Sequence, residues 1–311
     1  MEARLIYNPT AGPRNVQRDL RHVCAILERQ GWTVELATTE RPGDAKRLAQ
    51  SAAAQGCGVA IAAGGDGTIN EVVNGLVGTQ TALGVLPVGT GNMWAKQLGL
   101  STYTLVNPFR LHEAALGLTE GTIRSMDVGQ VGETYFLCWA GIGLDAQVVA
   151  EMEPRQRHTK RLGALPYLIA AIIVARDFRG VRARVSLDGK VVRGRVLLVL
   201  VSNIRQYGGV FEVARTACID DGLLDVFVFK GLGFPYIVKH VLRIISQRYL
   251  HDPQVVHRQV RRIDMWTEPD VPVQVDGDPV DRTPVTLRVV PRALKVVWPP
   301  GAPRDLFAAD M

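Results

Sequence analysis

Over the first 120 residues, short apolar runs alternate with longer stretches whose hydrophobic positions recur every three or four residues. ARLIYNP (3–9), WTVELATT (32–39), GVAIAAGG (58–65) and ALGVLPVG (82–89) have the length and continuous apolar character of strands covered on both faces. Between them, RNVQRDLRHVCAILERQG (14–31), GDAKRLAQSAAAQG (43–56) and TINEVVNGLVG (68–78) have the period of amphipathic helices, with Gly31 placed as a C-cap. Strands separated by helices predict a parallel sheet with helices packed on it.

After about residue 124 the texture changes. SMDVGQV, TYFLCWAG, VRARVSLDG, RGRVLLVLVSN, GLLDVFVFKG, VRRIDMWTE, VPVQVDGDPV and TPVTLRVVPRALKVVW read as strands punctuated by DG and GD turns. Two helices interrupt them, near 144–176 and 234–249. The pattern predicts an α/β domain over 1–123 and a mostly antiparallel β domain over 124–298. The tail, 299–311, can pack back on either.

Composition narrows the class. The 311 residues are 47% hydrophobic and 21% charged, an ordinary soluble globular balance. A net charge of +6 and a pI near 9.3 suit an acidic partner: nucleotide phosphates, an anionic membrane surface or nucleic acid. They equally suit a merely solvated surface. Cys24, Cys57, Cys138 and Cys218 form no CxxC, which argues against zinc or a disulfide framework and fits a reducing cytosol. MEARLIYNPT enters a strand directly, with no signal-peptide pattern. The run LGALPYLIAAIIVA (162–175) is shorter than the roughly 18 residues a span requires. It also contains Pro166, and reads as a buried or interfacial helix.

The chemistry concentrates at strand ends. Gly64-Gly65-Asp66-Gly67-Thr68 follows a strand and opens a helix. Glycines admit a ligand to the backbone, and first-turn N–H groups favour anions. Thr68 with Glu71 has the spacing of a capping box. A tight turn explains two of the glycines but not a carboxylate at the mouth of an anion site. Asp66 beside phosphate implies Mg²⁺ between them, direct or through water. A second glycine turn, Leu86 to Asn92 (LPVGTGN), and a third, Asn8-Pro9-Thr10-Ala11-Gly12, leave strands on the same edge. Thr90 and Asn92 can donate to phosphate or base. There is no GxxxxGK[ST]. GIGLDA (141–146) fits GxGxxA, but it lies in the β-rich half without a strand-ending acid downstream, and reads as a supporting turn. Six scattered histidines form no HExxH.

In the second half, DDGLLD (220–225) reads either as a DG turn or as a hard-cation site of carboxylate plus backbone carbonyls. Asp276-Gly277-Asp278-Pro279 reads as a type I′ hairpin turn, and gains a function only if it faces a partner across a domain cleft.

GGDGTINEVVNG, LGVLPVGTGN, AGIGLDA, DDGLLDVFVF and VDGDPV stand in the order found in the diacylglycerol kinase catalytic-domain family, which the chain resembles from Leu5 to about Trp298. GGDGT alone is shared with NAD kinases and phosphofructokinases; the later motifs point to the lipid-kinase branch, similar to sphingosine and ceramide kinases. The resemblance implies a three-layer α/β domain with a parallel sheet, a C-terminal β-sandwich, an active site in the interdomain cleft, and ATP with Mg²⁺ as cofactors. It implies a nucleotide site lined by Asn8, Pro9, Thr10, Ala11, Gly12, Thr39, Gly64, Gly65, Asp66, Gly67, Thr68, Ile69, Asn70 and Thr90. It implies a structural cation held by Asp221 and the carbonyls of Cys218 and Leu223, and a proton acceptor at Asp278 with Asp276 beside it. Two departures stand out. The family's DGE is DGD here, one methylene shorter at Asp278, and its GTxND loop reads GTGNM, with Met93 in place of the acid and the larger Trp94 after it.

The reading is therefore an ATP-dependent lipid kinase acting on a diacylglycerol-like hydroxyl, cytoplasmic with peripheral contact to the inner face of the membrane. The basic-then-apolar stretch from Arg155 through Ala175 is the expected contact, or else a helix packed on the sandwich. The alternatives are a soluble-substrate kinase of the NAD kinase type and a catalytically weak nucleotide-binding regulator. A nucleic-acid partner is not expected. The identity of the lipid and a homodimer are left open.

Overall fold

A computed structural model describes residues 1–12, 16–89, 92–100, 110–151, 173–207 and 211–308. In chain order its elements are β1 Glu2–Tyr7, α1 Gln17–Arg29, β2 Thr33–Thr38, α2 Asp44–Ala54, β3 Val59–Gly64, α3 Asp66–Leu76, β4 Ala82–Pro87, α4 Met93–Gln97, α5 Arg110–Glu120 and β5 Thr122–Val131. There follow β6 Thr134–Phe136, β7 Trp139–Gly143, α6 Leu144–Glu151, β8 Val181–Leu187, β9 Lys190–Ser202, β10 Gln206–Tyr207, β11 Phe211–Glu212, β12 Leu224–Lys230 and α7 Phe234–Ile245. The chain ends through β13 Val255–Val260, β14 Arg262–Glu268, β15 Pro272–Val275, β16 Asp278–Arg282 and β17 Val285–Trp298.

The chain divides into two units. The first is Met1–Val128 with Cys218–Asp221 and Pro291–Met311; the second is Gly129–Ala217 with Gly222–Val290. The division falls inside β5 and β17 rather than at the change of texture near residue 123. A strand pattern shows that 285–298 is extended, but not which sheet each half joins.

In the first unit the strand order is β17–β4–β3–β1–β2, and each neighbouring pair is parallel. The last half of β17 enters through Val296, opposite Leu83 of β4. β3 and β4 are buried at every position, which explains their unbroken apolar runs, whereas edge strand β2 alternates. Leu20, Val23 and Leu27 of α1 and Leu111, Ala115 and Leu118 of α5 pack on the sheet's core. Gly31 ends α1 with φ +80°. In the tail, Trp298 meets Phe307 edge-on at 4.8 Å and Arg124 lies 4.3 Å over the Phe307 ring. The described part of the tail thus packs on the first unit.

The second unit is antiparallel: β16–β15–β7–β9–β8–β14, with β12 against β9 and β13, and the first half of β17 against β14. Its core is Val-rich, from Val181 and Val185 through Val226 and Val228 to Val273 and Val275. Asp188-Gly189 and Asp276-Gly277 both close two-residue hairpins with positive φ at each residue, the type I′ geometry their DG sequences predict. Among the described residues no helix is long and apolar enough to cross a membrane. The predicted helix near 144–176 is described only at its ends, so most of the basic-then-apolar stretch, 155–172, lies outside the described residues.

Candidate functional site

In the first unit β1, β3 and β4 are adjacent and parallel, so their C-terminal ends deliver three loops to one edge. Hydrogen bonds tie the loops together. Asn8 N donates to Ala63 O (3.1 Å), and Asn8 Nδ2 donates to Thr68 Oγ1 (3.0 Å). Asn8 Oδ1 accepts from Thr10 N (2.9 Å) and Thr10 Oγ1 (2.8 Å), setting the NPTAG turn, in which Ala11 N returns to Asn8 O. Gly64 O accepts from Gly89 N (3.1 Å) and from Asn92 Nδ2 (3.1 Å). Thr39 follows β2 on the same edge, its N–H bonded to Tyr7 O at 2.8 Å.

The glycines divide into two kinds. A Cβ on Gly12, whose φ is +82°, would stand 2.7 Å from Val88 O. On Gly64 it would stand 2.4 Å from Thr68 Oγ1, and on Gly89 2.6 Å from Gly65 Cα. These glycines are required by the close approach of the loops. Gly65 is not. Its backbone, φ −92° and ψ −173°, is extended and open to any residue, and no described atom lies within 4 Å of where its Cβ would be. A side chain is missing there although the chain leaves room for one. That space lies at the N-terminus of α3, whose first-turn N–H groups have no intrahelical acceptor. The arrangement fits a phosphate group brought against the backbone.

Several predicted residues have other roles. α3 begins at Asp66, two residues earlier than the pattern predicts, with Gly65 as its N-cap and no side-chain cap. Thr68 therefore lies within the first turn, and the expected capping box does not form. Glu71 reaches instead to the start of α2, accepting from Gly43 N (2.9 Å) and Ala45 N (3.0 Å). Thr68, Ile69 and Asn70 are buried; Ile69 faces the core, and Asn70 Oδ1 accepts from Asn74 Nδ2 at 2.9 Å. Pro9, Thr10, Gly12 and Gly67 are exposed. Asn92, expected to donate to a ligand, is fully buried with φ +44° and spends its amide on Gly64 O. Thr90 lies outside the described residues.

Asp66 is half-buried at the head of α3, and its Oδ1 accepts from Met93 N at 2.6 Å. The carboxylate thus has a structural partner: it joins the GGDGT loop to the first residue of α4. A triphosphate-bound Mg²⁺ keeps several waters and takes one or two carboxylates, so the donor set of this edge fits one through Asp66. Below Thr39, Asp44 receives Arg47 at 2.6 Å and the N–H groups of Glu40 (3.0 Å) and Arg41 (3.2 Å). Arg47 first, then those N–H groups, hold the Asp44 carboxyl far below the usual carboxylate range.

In the second unit the DGD turn joins β15 to β16. Asp276 Oδ1 accepts from Cys138 N (2.9 Å) and Trp139 N (2.9 Å), and its Oδ2 accepts from Leu137 N (2.7 Å). Its own N–H bonds to Trp139 O. With both oxygens engaged by backbone, Asp276 anchors this turn. Asp278, half-buried at the start of β16, is the remaining carboxylate of the segment. Beneath the turn lies a buried polar chain that sequence reading did not find. Gly277 N donates to Gln274 Oε1 (2.8 Å), Gln274 Nε2 to Asp145 Oδ2 (2.5 Å), and Tyr207 OH to Asp145 Oδ1 (2.7 Å). Asp145 belongs to GIGLDA. Gly141 makes room for it, since a Cβ there would stand 2.1 Å from Asp145 Oδ2. An acid in a glycine-rich turn was the available signal.

The three acids of DDGLLD go different ways. Asp220 Oδ1 accepts from Ala308 N at 2.7 Å, and Asp225 binds His257 Nε2 at 2.6 Å and Gln259 Nε2 at 3.3 Å. Among the described residues no three His, Cys, Asp or Glu side chains gather to hold a metal. The expected cation set, Asp221 with the carbonyls of Cys218 and Leu223, uses one side chain.

The sequence matches family models over nearly its whole length: diacylglycerol kinase catalytic domain over residues 2–131, and YegS C-terminal NAD kinase beta sandwich-like domain over 139–298. It is 29% identical over 299 residues to a diacylglycerol kinase of Bacillus subtilis (strain 168), covering 96% of each chain. It is 28% identical over 312 residues to a diacylglycerol kinase of Staphylococcus haemolyticus (strain JCSC1435), covering 99% of this chain and 90% of that one. In fold it is similar to the crystal structure of a diacylglycerol kinase from Bacillus anthracis str. Sterne, with TM-score 0.72 at 23% identity over 97% of this chain and 98% of that one.

Proposed function

Because the chain belongs to the diacylglycerol kinase catalytic-domain family, we propose that it transfers the terminal phosphoryl group of ATP to the hydroxyl of a diacylglycerol-like lipid. The observation that carries the donor half is Gly65: a glycine that neither its backbone nor its described neighbours require, at a helix N-terminus. Phosphoryl transfer depends on positioning and on neutralising phosphate charge rather than on covalent chemistry by the protein. The edge has the parts for this. The first-turn N–H groups of α3 would receive the phosphates, the NPTAG turn and the LPVG strand end would flank them, and Asp66 would hold Mg²⁺. When bound, the cation screens charge on the phosphate oxygens.

The acceptor half rests on Asp278, which takes the proton of the lipid hydroxyl as the new P–O bond forms. Asp276 supports it by locking the type I′ turn onto residues 137–139. Gln274 and Asp145 support it from below by fixing Gly277. A cation at Asp221, with Cys218 and Leu223, is part of the same proposal and stabilises the DDGLLD turn. The test is incubation with labelled ATP, Mg²⁺ and a detergent-dispersed total lipid extract. Label is expected in a lipid with a free hydroxyl. Label on a soluble acceptor such as NAD, or ATP binding without transfer to any lipid, contradicts the proposal.

A further inference from the structure

The helix α7, FPYIVKHVLRII, is turned inside out for a surface helix. Phe234, Val238, Val241, Leu242 and Ile245 are 40%, 39%, 47%, 60% and 55% exposed. Their spacing of four, seven, eight and eleven residues from Phe234 puts them on a single apolar stripe. The helix is nevertheless fixed on its other side. Ile237 and His240 are buried, and His240 Nε2 bonds to Lys230 O at 2.9 Å. Lys239 and Arg243 reach the buried Asp252 carboxylate at 2.8 and 3.2 Å. The outward stripe is therefore not the result of a misplaced helix. A row of large exposed apolar side chains on a soluble unit marks an interaction surface.

Charge identifies the partner. From Gly231 to His251 the sequence contains no Asp or Glu; Asp252, next in the chain, is buried and pairs with Lys239 and Arg243, so two cations face one carboxylate there and Arg248 is a further, exposed cation. At the C-terminal end of the stripe, Leu242, Arg243, Ser246, Arg248 and His251 line a shallow, open depression. Apolar positions pointing outward beside an exposed arginine are the two parts of an interfacial helix on an anionic bilayer.

We propose that α7 docks this chain on an anionic lipid bilayer, its apolar stripe among the acyl chains and Arg248, at the end of the stripe, on a lipid phosphate. The inference rests on the lipid-kinase reading for its purpose, since an enzyme whose acceptor stays in a membrane must reach it there. It places the contact on a different segment from the basic-then-apolar stretch at 155–175.

The experiment is sedimentation of the full chain with vesicles of phosphatidylglycerol and phosphatidylcholine, or phosphatidylcholine alone, at low and high salt. Binding to the anionic vesicles is expected, weakened by salt. Leu242→Asp with Ile245→Asp should weaken it at least about tenfold, since two inserting side chains are lost. Arg248→Glu should weaken it at least about fivefold, the effect of one basic residue near an anionic surface. Val191→Asp, at an exposed apolar position of β9, should leave it unchanged. Ile245→Trp, which adds no charge, should gain fluorescence quenching by brominated lipid over the unsubstituted chain.

Absence of binding to anionic vesicles, full binding by the double variant, or no added quenching of Ile245→Trp overturns the proposal. So does a chain that is dimeric without vesicles and becomes monomeric in the double variant, which assigns the stripe to a second copy. Phosphorylation of detergent-dispersed lipid by the unaltered chain, measured alongside, separates the two readings. Its failure removes the kinase proposal, while vesicle binding judges the docking surface by itself.

Discussion

The GGDGT loop of the first unit and the DGD turn of the second both set carboxylates among glycines, yet they are finished differently. In the DGD turn Asp276 is saturated by the N–H groups of Leu137, Cys138 and Trp139, and its positive φ is what a type I′ turn requires. Every unusual feature of that residue has a partner within the unit. In the GGDGT loop Gly64 and Gly89 are explained by neighbouring atoms, but Gly65 has open space where a side chain would fit. Motifs that look alike in sequence can thus be completed by the protein or left with open space, and the difference lies in what surrounds each atom.

The largest effect that sharpens this comparison belongs to Asp278. Asp278→Asn is expected to lower turnover by about 10²- to 10⁴-fold, the usual contribution of a general base, with nucleotide affinity unchanged. Near-normal turnover would remove Asp278 from the reaction. Asp276→Ala should act on the fold instead. It leaves three backbone donors without their acceptor, and a loss of about 2–4 kcal/mol in urea unfolding is expected. A variant as stable as the parent would mean that the anchor is not needed.

Glu71→Ala should cost about 1 kcal/mol of stability, as removal of a helix N-terminal acceptor does, because Gly43 N and Ala45 N lose it. Thr68→Val, by contrast, removes no helix cap and should cost only the single bond from Asn8 Nδ2, about 1 kcal/mol.

The smallest effect is pH-dependent. Burial pushes the His240 imidazole below its ordinary value, outweighing the Lys230 carbonyl and Asp252, which favour the charged form. The unfolded chain therefore takes up this proton more readily, so stability is full above about pH 6.5 and declines as pH falls below it. His240→Gln should flatten that decline in unfolding measured from pH 7 to pH 5. An unchanged slope would show that another group causes it.

Much of the fold was legible from periodicity, because strands β1, β3 and β4 are buried on both faces and α1 and α2 keep a strict amphipathic spacing. Three features were not legible. Both halves of β17 read as strand, and no local signal says that Val296 pairs with Leu83 in the parallel sheet. The apolar stripe of α7 has the spacing of a packed helix, and only the fold shows it facing outward. At the site, the alternation of strands and helices placed three glycine-bearing loops on one edge, but it did not show which side chains the fold itself engages. Asn92 is buried with its Nδ2 bonded to Gly64 O, and Asp145 and Gln274, 129 residues apart, meet only in the folded unit.

Gly65 tests the account most directly. An alanine fits its extended backbone and meets no described atom, so Gly65→Ala should stay folded and lose no more than about 1 kcal/mol, the preference of an N-cap for glycine over alanine. Its methyl group would occupy the space assigned to phosphate, and titration with Mg²⁺-ATP should show affinity lower by about tenfold or more, the effect of overpacking a close contact. Unchanged affinity in a folded Gly65→Ala variant would contradict a nucleotide site at this edge.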